Sequence, residues 1–146
     1  MDYETLQTMT RKNTEFMSLK NKHYDAKIVH IYDGDTMHVV FYEYGQYIKW
    51  NCRVMGVDTP EIRTRNLQEK QLGLKVRDIL IDRLLNKIVK IHTDEFDKYG
   101  RLLIDVEMPL EPLVENHDSV MLSDWLIANN YAYPYEGGTK RSWVFE

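Results

Sequence analysis

The chain has 146 residues, 43% of them hydrophobic, with 4 Phe, 10 Tyr and 3 Trp, enough for one domain with its own core. A formal net charge of −4 argues against a protein that coats nucleic acid through its whole surface, but leaves a local phosphate site open. Cys52 is the single cysteine, so no intrachain disulfide is expected, and the acidic start Met1-Asp2-Tyr3-Glu4 carries no secretory apolar core.

In chain order, residues 4–20 have helix-forming composition, with Leu6, Met9, Asn13, Phe16 and Met17 roughly in line, and read as a short, weakly amphipathic helix or a partly ordered arm appended to the domain. Residues 26–32 are rich in β-branched and aromatic side chains and form a first strand that stops at Asp33-Gly34. Residues 36–44 alternate Met37, Val39 and Phe41 with His38, Val40 and Tyr42, a second strand, and 43–46 make a turn. A third strand runs over 47–57 and ends at Pro60, which cannot donate to a ladder. The main helix is expected over 67–86, with Leu72, Val76, Ile79, Leu80 and Leu84 on one face and Gly73 weakening its first turn. Strands follow at 87–93 and 102–107, then a loop over 108–119 with Pro109 and Pro112. A helix over 120–130 is capped by Ser119, and an aromatic tail starts at Tyr131. Three antiparallel strands, a helix, two strands and a helix predict an α+β fold that is mainly β: a five-stranded OB-type Greek-key barrel with two or three helices. The expected division is an extension at 1–23, the barrel domain at 24–136 and a tail at 137–146. No apolar run approaches membrane-spanning length, so no membrane partner is expected, and the location is expected to be intracellular.

Charge is uneven. Residues 62–90 carry eight bases against Glu69, Asp78 and Asp82, which reads as a solvated helix face. Three other clusters carry chemistry: Asp33-Gly34-Asp35-Thr36, Arg53 leading into Asp58-Thr59-Pro60-Glu61, and Asp97-Lys98-Tyr99-Gly100-Arg101. Each alone is an ordinary turn. The first is no EF-hand loop, because the central glycine position falls on His38 and the closing acid on Tyr44. Together they sit at strand ends, where a barrel brings distant segments to one rim. Two carboxylates and a backbone carbonyl make an incomplete oxygen shell, and calcium takes about 6–8 oxygens, so waters and a substrate phosphate would complete it. A hard cation suits this chain better than zinc, since Cys52 is alone and the five histidines show no ligand spacing. Arg53, on a strand, needs an acid or a phosphate as partner, and Arg101 converges from another turn. Glu61 is left over to handle a proton. This is the inventory of a metal-dependent phosphodiesterase.

From about Ala26 to Tyr135 the clusters, their order and the Arg53-to-Glu61 spacing resemble the staphylococcal nuclease (thermonuclease) family. The resemblance implies one calcium ion on Asp35, Asp58 and the Thr59 carbonyl, with Asp33 close to it. It implies Glu61 as the acid that activates water, and Arg53 and Arg101 as the phosphate clamp. Lys98 and Tyr99 would lie beside the nucleotide phosphate, and Tyr133 and Tyr135 where a base stacks. The implied activity is hydrolysis of DNA and RNA, single- or double-stranded, to 3′-phosphate ends. The stretch after Glu61 is shorter than the family's lysine-rich loop and the chain is acidic, which implies a weaker hold on nucleic acid at physiological salt. The alternative is a module that keeps the barrel and binds nucleic acid or protein without cutting. A third reading makes residues 1–23 a docking arm for a partner.

Overall fold

A computed structural model describes residues 1–109, 119–138, 140 and 142–145. The elements are α1 (Tyr3–Gln7), β1 (Lys22–Ile31), β2 (Thr36–Glu43), β3 (Gln46–Val54), β4 (Val57–Asp58), α2 (Leu67–Leu84), β5 (Ile88–Phe96), β6 (Leu102–Pro109), β7 (Ser119–Met121), α3 (Leu122–Ala128) and β8 (Tyr133–Pro134).

The strand order is β3-β2-β1-β5-β6-β7, and β3 also pairs with β6, which closes five strands into the expected OB-type barrel. The closing seam is parallel, with Cys52, Arg53 and Val54 opposite Leu102, Leu103 and Ile104. The register shifts between Ile28 and His30 in β1 and between Thr93 and Phe96 in β5, irregularities that bend strands enough to curl a sheet. The interior follows the period of two: Met37, Val39 and Phe41 of β2 are buried, while Tyr42 is exposed. Val76, Leu80 and Leu84 of α2 and Leu122 and Leu126 of α3 join the same core.

Three elements differ from expectation, each for a local reason. The third strand breaks at Met55-Gly56, where Gly56 takes φ 78°, and the chain resumes as β4, which pairs with β8 instead of β2. The N-terminal helix extends only over Tyr3–Gln7, capped by Asp2 and burying none of its residues. Leu19 is the first residue in the core, held where Thr93 Oγ1 donates to its carbonyl at 2.5 Å. The last helix begins at Leu122, because Ser119 to Met121 are taken up by pairing with β6. Its cap comes from across the fold: Asp105 of β6 accepts from Ser123 N at 3.1 Å and from the Ser123 hydroxyl. Of the expected loop at 108–119, residues 110–118 lie outside the described residues.

Candidate active site

The first acidic cluster is the tight turn between β1 and β2. Tyr32 N donates to Thr36 O at 3.0 Å and Asp35 N to Asp33 Oδ1 at 3.1 Å, so Asp33 is spent on shaping the turn. Gly34 is there for close approach: a Cβ on it would stand 2.8 Å from Thr59 Cγ2. That contact seats Thr59, whose backbone N–H donates to Asp35 Oδ2 at 3.2 Å. The β2–β3 register sets Arg53 opposite Thr36, which brings Arg53 Nη1 to 3.3 Å from Asp35 Oδ2. Arg53 Nη2 lies 3.9 Å from Asp58 Oδ1 on β4. Three strand ends therefore bring Asp35, Arg53, Asp58 and Thr59 together, all of them buried.

The acids outweigh the bases here. Burial, and then the neighbouring Asp35 carboxylate, push Asp33 well above the ordinary carboxylate range. Burial raises Asp58 as well, against the pull of Lys140 and Arg53. Arg53 Nη1, Asp58 Oδ1 and Thr59 Oγ1 are buried without a well-formed hydrogen bond. Among the described residues no three His, Cys, Asp or Glu side chains are grouped as a ligand set, so any cation held here would draw on a backbone oxygen too. An all-oxygen donor set, a buried carboxylate oxygen met only by cationic groups, and crowded carboxylates fit a hard cation.

Glu61 follows on an exposed loop. Its backbone N–H donates to Glu69 Oε2 of α2 at 2.7 Å, which ties the loop to the helix. That side chain is 48% exposed and meets Lys140 Nζ at 3.4 Å; the same ammonium stands 3.2 Å from Asp58 Oδ1.

Arg53, Lys98, Tyr99, Arg101, Tyr135 and Lys140 line one cleft of about 680 Å³. Arg101 does not reach Asp35; it is tethered by its Nε to Asp97 Oδ2 at 2.8 Å. The Arg53 guanidinium lies 5.6 Å from the Tyr135 ring centre, and both Lys98 and Arg101 lie over Tyr99. Tyr133 is placed elsewhere, in a second cavity with Leu72 and Trp143, its ring centre 4.3 Å from that of Trp143. Of the residues expected from sequence, all but Tyr133 are therefore in the acidic cluster, on the Glu61 loop or in the cleft. The residue that sequence reasoning missed is Lys140: it is 79 positions from Glu61, and only the Gly137-Gly138 pair hinted that the chain turns back there.

The family model described as staphylococcal nuclease homologue matches residues 51–142, a span that holds Arg53, Asp58, Glu61 and Arg101 but begins after Asp35. The chain is similar to an uncharacterised protein of Methanocaldococcus jannaschii, at 35% identity over 57% of this chain and 48% of that protein. It is also similar to the thermonuclease of Staphylococcus hyicus, at 34% identity over 53% of this chain and 44% of that protein. The chain spans about half the length of these curated relatives.

Proposed function

Because the chain belongs to the staphylococcal nuclease family, we propose that it is a calcium-dependent nuclease, hydrolysing phosphodiester bonds of DNA or RNA to leave 3′-phosphate ends. What supports the reading is one observation above all: Arg53 from β3 lies between the buried carboxylates of Asp35 and Asp58, beside a cleft that also holds Arg101.

The roles follow from the chemistry of each group. Asp35, Asp58 and the Thr59 carbonyl would hold the ion, which when bound draws electron density from a phosphate oxygen. Glu61, its side chain half exposed, takes a proton from the water that attacks phosphorus. The bond that breaks is the one to the 5′ oxygen, so the phosphate stays on the 3′ side. Arg53 and Arg101 hold the negative charge that builds on the non-bridging oxygens, and removing one such donor typically costs about 10²–10³ in rate. Lys98, which lines the cleft, would meet a flanking phosphate, and Tyr99 and Tyr135, which line it too, would stack a base.

The test is cleavage of end-labelled single-stranded DNA and RNA by the purified protein with calcium, magnesium or a chelator. Calcium-dependent cutting is expected, and Glu61→Gln is expected to lose about 10²–10⁴ in rate. Its stability should stay within about 0.5 kcal/mol, because the side chain is half exposed. Nucleic acid that is bound but left intact would replace the nuclease with a binding module.

A further inference from the structure

Lys140 reaches the acidic cluster through a specific path. Asp58 pairs with Tyr133 across β4 and β8, and Tyr135 N donates to Gly56 O at 3.0 Å. Gly137, at φ 92°, then turns the chain in a conformation that favours glycine. The Lys140 ammonium comes to rest 3.2 Å from Asp58 Oδ1, 3.4 Å from Glu61 Oε1 and 5.8 Å from the Tyr135 ring centre. Asp58 Oδ1 is buried, and a cation is what it is offered: Lys140 at 3.2 Å, with Arg53 more distant at 3.9 Å.

That carboxylate is one that would hold the metal ion under the reading above. A divalent ion bonds a carboxylate oxygen at about 2.3–2.6 Å, so an ion on Oδ1 would lie within about 6 Å of the ammonium. At that separation, in a partly buried site, the repulsion between them is strong. We propose that Lys140 is an internal counter-cation: its ammonium and a divalent ion compete for the Asp58 carboxylate, and the ion enters only as Lys140 withdraws. The proposal rests on Asp58 as a metal ligand.

The experiment is a calorimetric calcium titration of the full chain without nucleic acid, on the wild type, Lys140→Met and Lys140→Arg. The lysine side chain is 47% exposed, so neither variant is expected to unfold, and circular dichroism checks this. Lys140→Met should bind calcium about tenfold more tightly than the wild type, and Lys140→Arg should match the wild type. Equal or weaker binding by Lys140→Met overturns the proposal. Tightening in both variants overturns it too, because the effect would then follow the shape of lysine and not its charge. Calcium binding by none of the three removes the competition together with Asp58 as a ligand. Cleavage is measured separately: tightened binding without cleavage leaves the competition standing and sinks the nuclease reading, whereas equal affinities with intact cleavage sink the competition alone.

Discussion

Asp97 shows how one carboxylate can build a turn and aim a second residue. Its Oδ1 accepts from Tyr99 N at 2.8 Å and Arg101 N at 2.9 Å, and its Oδ2 from Arg101 Nε at 2.8 Å. Burial alone would raise its carboxyl, but the backbone N–H groups and the Arg101 charge overcome this and hold it below the ordinary range. A carboxyl lowered on folding adds stability where the unfolded chain's group is ionised, above about pH 4, and loses that contribution as pH falls through the folded value. Asp97→Asn keeps an oxygen for the two N–H groups but gives up the charged pair, at a cost of roughly 1 kcal/mol at pH 7. Thermal melts should therefore show a gap between wild type and variant at pH 7 that closes by strongly acid pH; a gap of constant size would refute the account. Asp97 was legible in sequence as a turn residue only. Its hold on Arg101 depends on the return of the chain after Gly100, which a local pattern does not carry. Lys140 was illegible for the same reason in stronger form, since its partners lie on β4 and the loop after it.

In α2 the packing of one turn overrides helix propensity. Asn66 caps the helix, accepting from Gln68 N and Glu69 N at 3.1 Å, and the exposed and buried faces fall as the apolar spacing predicts. Gly73 looked like a weakness in that pattern. It is instead where the loop carrying the site rests on the helix: a Cβ there would stand 2.8 Å from Pro60 O and 3.3 Å from Glu61 O. Alanine is the better helix former by about 0.8–1.0 kcal/mol, yet a backbone carbonyl cannot swing aside as a side-chain tip can. Gly73→Ala is expected to destabilise by about 1–3 kcal/mol in urea titrations and to lower cleavage by displacing Glu61. Gln71→Ala, on the exposed face of the same helix, should leave both nearly unchanged. A Gly73→Ala protein as stable and active as the wild type would mean the helix and loop do not bear on each other. The strands were the most legible elements, because alternation over 36–43 and the stops at Asp33-Gly34 and Pro60 are local signals. The break at Gly56 was not, since Val57 and Asp58 are extended like a strand and only their partner, β8, tells them apart from β3.

For the molecule as a whole, the barrel could be read from the order of elements, but not which strands would close it. Among the described residues no helix is long and apolar enough to cross a membrane. The seam of β3 against β6 explains why the two arginines share a cleft: Arg53 lies on one side of it, opposite Leu103, and Arg101 immediately precedes the other. Beside Arg53 on that seam stands Cys52, fully buried opposite Leu102, its thiol pushed up to about 12 by burial. The thiolate is the form that attacks a disulfide reagent, so the closed barrel should leave Cys52 almost inert. The chain has no other cysteine. It thus carries a stopwatch for the parting of its own walls: the rate at which a chromogenic disulfide labels Cys52 times the opening of β3 from β6, with no nucleic acid present. Labelling should be slow in buffer and accelerate in urea well below the midpoint only if the seam parts before the rest of the barrel; a rate that tracks global unfolding would make closure and folding a single event.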